Sequence, residues 1–179
     1  MSTLTFLGAS GGCGATTLAA ISVHLLAEND MRLPVLIAAE ADGFNARLGV
    51  VPQGVRATGN ELVDAGRYTT AKAAAALAQG RLVLVGAHTP RGVAAQDDAL
   101  AEISARFGQA GIGRTLPVLC ASFGRPRPAV DDQRLLIPFD PRLAPGGPVS
   151  DALAVLRSRT QGALRQHWLP ILREAYSER

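Results

Sequence analysis

Residues 8–18 read GASGGCGATTL, between the apolar run Leu4–Leu7 and a stretch of helical spacing that starts at Thr16. Gly11, Gly12 and Gly14 admit positive φ and let backbone N–H groups converge on an anion. The N-terminus of the helix that follows adds its dipole at the same point. Strand, glycine loop and helix in that order point to a parallel α/β chain with a phosphate cradle at a strand's carboxyl end. The plainer reading is a tight turn that happens to be rich in glycine. It is less favoured, because both the context and the pair Thr16 and Thr17 fit a phosphate loop.

The rest of the chain repeats this alternation. Leu4–Leu7, closed by Gly8, is expected to be a buried strand. Thr16–Glu28 follows as a helix, with Leu18, Ile21, Leu25 and Leu26 at helical spacing. LPVLIAAEAD (33–42) is expected as a second buried strand ending in acids, and 59–80 as helical material ended by Gly80. Further strands are expected at 81–88, 116–123 and 134–140, with a helix at Val93–Phe107 that carries Asp97 and Asp98 early. Val149–Tyr176 is expected to be helical, broken or kinked at Pro170. Residues 123–133 are the most loop-like. Apolar strands alternating with helices predict a three-layer α/β fold, a mainly parallel sheet of about five or more strands flanked by helices.

At 179 residues, one domain over 1–179 is expected, with a real core. Hydrophobic content of 47% and charged content of 18% are globular, not disordered. The net charge is only +3, with no block of like charge, so a general nucleic-acid surface is not indicated. Cys13 and Cys120 are too few for a disulfide framework or a four-cysteine zinc site. The N-terminus has no basic segment, and no run of about 18 apolar residues occurs, so a cytoplasmic protein is expected. Lys72 is the only lysine among 18 Lys and Arg residues.

That scarcity bears on the loop. A strict Walker A motif has its lysine where this chain has Ala15, and its first glycine where this chain has Ala9. SGGCGATT instead resembles the deviant Walker A box of the ParA/MinD superfamily, and most closely the CpaE/TadZ branch of pilus-assembly proteins. In this alignment Ser10 takes the signature-lysine position and Ala15 the Walker-lysine position. Gly11, Gly12, Gly14, Thr16 and Thr17 match. The resemblance implies ATP or ADP with Mg²⁺, the phosphates on Gly11, Gly12, Gly14, Ala15, Thr16 and Thr17, and the metal on Thr16 and Asp42. PVLIAAEADGFNARLGV is similar to the strand that ends in paired acids, here Glu40 and Asp42, the second being the catalytic acid of active members. LLIPFDPRLAPGGPVSDAL resembles the late proline–aspartate loop, which would set Asp140 and Pro141 near a base. VLVGAHTPRGV resembles either the Walker B strand, with His88 at the aspartate position, or the strand after it. In the second case no Walker B strand is apparent.

A phosphate-loop lysine contributes about 1.5–3 kcal/mol, or roughly one to two decades of affinity. Backbone amides can hold phosphate without it, but transfer loses its charge stabilisation. Catalytic residues are therefore not expected, Asp42 being the candidate should the protein be active. The expected function is that of a pseudo-ATPase or weak nucleotide binder. It would act as a scaffold or positioning factor in assembling a pilus or secretion-type envelope machine. Its partners would be other proteins of that assembly and a homo- or hetero-dimer partner, with membrane contact only peripheral or indirect, at the inner face. The alternatives are an ATPase completed by a partner's cation and a nucleoid-associated partition protein, which the modest charge disfavours.

The remaining residues have plainer readings. Lys72 looks exposed on a helix, and folding back to replace the lost lysines is the less favoured alternative. Cys13 could be redox-active at a helix N-terminus, but is read as a small loop residue. Cys120 is read as core packing. His24, His88 and His167 have no metal-ligand spacing. Asp131 and Asp132 are read as loop residues. The tail, with Trp168, Leu169, Ile171, Leu172 and Tyr176, is read as packing on the sheet rather than as a membrane helix.

Overall fold

The structure is a computed structural model and describes residues 2–50, 53, 56–121, 128–129, 133–144 and 146–176. Its strands are β1 (Ser2–Gly8), β2 (Leu33–Ala38), β3 (Arg56–Arg67), β4 (Gly80–Ala87), β5 (Thr115–Cys120) and β6 (Leu135–Ile137). They form one sheet in the order β2-β3-β1-β4-β5-β6. All five pairings are parallel, as expected for apolar strands joined by helical crossovers.

One face carries α1 (Ala15–Glu28), α2 (Ala41–Leu48), α5 (Val149–Leu153), α6 (Ser158–Ala163) and α7 (Leu169–Tyr176). Their core joins Leu18, Ile21, Leu25, Phe44, Leu48 and Trp168 to the sheet residues Leu4, Phe6, Leu62, Val83, Val85 and Val118. The other face carries α3 (Thr70–Gln79) and α4 (Pro90–Gly113), where Ala73, Ala76, Leu77, Ala99 and Ile103 cover Leu7, Leu82 and Leu84. α4 holds helical geometry to about the predicted end at Phe107, breaks at Gly108 (φ 61°) and continues to Gly113.

The largest departure from the sequence reading is at 59–80. Only Thr70–Gln79 is helical there, and the first part is β3. Its apolar content is thin, but it lies between β2 and β1, with Leu62 in register with both Leu36 and Leu4. Pairing on both edges overrides weak local propensity. The second strand is also shorter than expected. β2 stops at Ala38, and α2 takes up Asp42 and the residues after it. As an edge strand it leaves Val35 and Ile37 42% and 43% exposed, because α3 and α4 pack on β1, β4 and β5.

β4 corresponds to the predicted strand at 81–88, but it is not the strand on β1's α2-side edge. That neighbour is β3, which carries Asp64-Ala65-Gly66 just before its last residue, Arg67. His88 is buried just past β4, and its Nε2 donates to the Pro128 carbonyl at 2.8 Å. Most of the loop-like stretch at 123–133, with Asp131 and Asp132, lies outside the described residues.

The tail packs as expected. Trp168 is wholly buried, edge-on to Phe6 at 6.0 Å between ring centroids, and its indole N–H donates to Ser22 Oγ at 2.9 Å. Tyr176 donates its hydroxyl to the Glu61 carbonyl at 2.9 Å. A π-helical turn at Leu164–Trp168 precedes Pro170 and gives the Leu169 N–H a partner in the Leu164 carbonyl. The wider turn absorbs the proline without ending the helix. Among the described residues no helix is long and apolar enough to cross a membrane.

Candidate phosphate-binding site

A cavity of about 670 Å³ opens at the carboxyl ends of β1, β3, β5 and β6, a size suited to a small ligand. The loop between β1 and α1 forms one wall. Gly12 and Gly14 have φ of 69° and 94°, the left-handed region that glycine enters without strain. Gly14 is the N-cap of α1 and brings no side chain to it, so the first-turn N–H groups lack a side-chain cap. Amides in that state at the positive end of a helix suit an anion. Gly11, Gly12, Gly14, Ala15, Thr16 and Thr17 all line the cavity.

Cys13 points beneath the loop, where a Cβ on Gly8 would come within 2.8 Å of its sulfur. Burial pushes its thiol pKa up, although the N–H groups of Ala15 and Ser10 oppose this. Burial raises Cys120 as well. Both thiols are thus kept protonated, which suits packing and not redox chemistry.

The two acids expected on the second strand separate. Glu40 lines the cavity, while Asp42 sits exposed in the first turn of α2 and is not among the lining residues. The early end of β2 causes this, because winding into α2 turns Asp42 off the rim. A different carboxylate enters. Asp64 at the end of β3 is buried, lines the cavity and accepts the Gly66 N–H at 3.2 Å. Asp140 also reaches the cavity, but its oxygens accept the N–H groups of Arg157 at 2.7 Å and Arg142 at 3.0 Å. It braces the late loop.

Two arginines that sequence reasoning passed over line the same space. Arg47 of α2 is buried, and its Nε donates to Thr17 Oγ1 at 2.9 Å. Its other nitrogens donate to the carbonyls of Gly147 and Leu143. Arg67 ends β3 in register with Gly8, with its side chain exposed. Lys72 does fold back, though not into the cavity. Its Nζ donates to the carbonyls of Ala65 at 2.6 Å and Arg67 at 3.4 Å. The run Leu62-Val63-Asp64-Ala65-Gly66 held a signal for Asp64: two apolar residues, an acid and a glycine. Nothing local marked Arg47, whose partners lie 30 to 100 residues away.

No protein-family model matches this sequence, and no curated protein matches it. Solved structures do. A chain of the MinC:MinD cell division protein complex of Aquifex aeolicus is similar with a TM-score of 0.67 at 13% identity, over 100% of this chain and 97% of that one. A ParA family ATPase from Chlorobium tepidum TLS is similar with a TM-score of 0.60 at 14% identity, over 94% and 97%. The sheet and its flanking helices thus have the α/β fold of these P-loop proteins.

Proposed function

We propose that this chain is a ParA/MinD-like positioning factor that binds ATP or ADP at its phosphate loop and hydrolyses it poorly. One observation carries the reading. Gly12 and Gly14 shape an uncapped phosphate loop over a ligand-sized cavity, and no lysine is among the described residues lining it. A nucleotide fits, since the amides can hold phosphate without a side-chain cation. Magnesium fits in part. Thr16 and Asp64 line the cavity and offer a hydroxyl and a carboxylate, with phosphate oxygens and water completing a magnesium shell. Bound there, the ion would neutralise phosphate charge.

The resemblance of SGGCGATT to the CpaE/TadZ box supports placing the protein with a pilus or secretion-type assembly. It would be cytoplasmic there, contacting proteins of that machine at the inner face of the membrane. The presence of both Asp64 and Thr16 in the cavity wall favours one second reading, an ATPase whose missing cation comes from a partner chain.

Calorimetry with Mg-ATP and Mg-ADP, followed by a phosphate-release assay on the same preparation, tests the proposal. Binding without turnover is expected. Turnover in the purified chain comparable to that of an active ParA protein, and abolished by Thr16→Ala, would overturn it. Turnover that appears only with a partner favours the second reading.

A further inference from the structure

We propose that Arg67 supplies the phosphate-chain cation that Ser10 and Ala15 cannot, which makes the site selective for di- and triphosphates over monophosphates. The inference rests on the nucleotide-binding reading above. Arg47 and Arg67 are the only cationic side chains among the described residues lining the cavity. Arg47 is engaged, since its nitrogens serve Thr17, Leu143 and Gly147. Arg67 differs, because no hydrogen bond or ion pair to its guanidinium occurs among the described residues, and its side chain is exposed. A guanidinium of this kind can take up phosphate oxygens in a two-pronged contact.

The backbone beneath Arg67 is fixed. Gly66 turns the chain at φ 74°, and its N–H is held by Asp64. The N–H of Tyr68 donates to the Gly8 carbonyl at 2.9 Å, which ties the segment to the first residue of the phosphate loop. Lys72 clamps the carbonyls on either side of Gly66. Lys72 is thus a positioning residue, and the one lysine in the chain acts through the arginine it holds in place. Glu40, Asp64 and Asp140 also line the cavity. Each added phosphate charge must therefore be met by a cation, and Arg67 is the one whose donors are open.

The test is calorimetric titration of the full chain with ADP and with AMP, for the wild type, Arg67→Ala, Arg67→Lys, Lys72→Met and the Arg67→Ala/Lys72→Met pair. Thermal melting of each variant checks folding, and substitution of the exposed Arg67 is expected to leave it intact. The wild type is expected to bind ADP more tightly than AMP. Arg67→Ala should weaken ADP by about 10- to 100-fold, the span of a charged hydrogen bond, and change AMP by less than about twofold, with Arg67→Lys in between. Lys72→Met should weaken ADP in the wild type but add nothing once Arg67 is gone, a non-additivity that a purely structural role would not produce. If Arg67→Ala binds ADP as the wild type does, this inference falls and the nucleotide-binding reading stands. If the wild type binds neither nucleotide, both fall.

Discussion

Arg47 donates from Nε to the hydroxyl oxygen of Thr17 at 2.9 Å, joining α2 to the first turn of α1 beside the phosphate loop. The same guanidinium holds the carbonyls of Leu143 and Gly147, so it ties the late loop to the cavity wall opposite. Burial lowers its pKa without removing its charge at neutral pH. Arg47→Ala should therefore remove three partly buried hydrogen bonds and cost about 2–4 kcal/mol, read as a lower urea midpoint at unchanged slope. Nucleotide affinity should fall with it, because Thr17 loses its orienting donor.

Gly14 carries φ 94° at the N-cap of α1. A Cβ there costs about 1–2 kcal/mol in left-handed backbone. Gly14→Ala should lower thermal stability by that amount and remove most ADP binding, both measurable on one sample by differential scanning calorimetry with and without ADP.

Ala15 lines the cavity, where the resemblance to the deviant Walker A box would place a lysine. Ala15→Lys should tighten Mg-ATP by about one to two decades, the worth of a charge-assisted contact. Phosphate release should stay low, because Ser10 is unchanged. An affinity equal to that of the wild type would show that the loop amides do not place phosphate beside residue 15.

Trp168 is the sole tryptophan and is wholly buried. Its emission should be blue-shifted and poorly quenched by acrylamide in the native state. Trp168→Ala should cost about 3–5 kcal/mol through the cavity it leaves, and it removes the N–H that Ser22 Oγ accepts. A red-shifted, readily quenched native emission would contradict the packing of the tail.

Asp140 predicts a pH dependence. Burial pushes its carboxyl up, but the N–H groups of Arg157 and Arg142 and the Arg142 guanidinium outweigh this and hold it below its ordinary value. A depressed folded-state pKa contributes stability above the unfolded value of about 3.9, lost as pH falls through the folded value. Asp140→Asn should cost about 1–3 kcal/mol at neutral pH. The gap to the wild type should narrow below about pH 4, in denaturation curves taken across that range.

The glycine turn between β1 and α1 was legible because its information is local. Gly12 and Gly14 meet a backbone requirement that no side chain from elsewhere changes, and their place between an apolar strand and a helix is written in adjacent residues. The parallel sheet was legible for the same reason, since strands buried on both faces must be apolar throughout. β3 was not. Its strand character comes from backbone pairing with β1 and β2, partners distant in sequence, and not from its own Leu62 and Val63.

The cavity's charges were decided later still. The sequence determined that Ser10 and Ala15 bring no cation to the loop and that Lys72 is the only lysine. Only the tertiary structure decided that Lys72 clamps the turn at Gly66, that Arg47 and Arg67 line the cavity, and that Asp64 stands there while Asp42 does not. Backbone conformation is set within a few residues, whereas convergence of side chains on a common point depends on sheet order. The insertion of β3 between β1 and β2 set that order here.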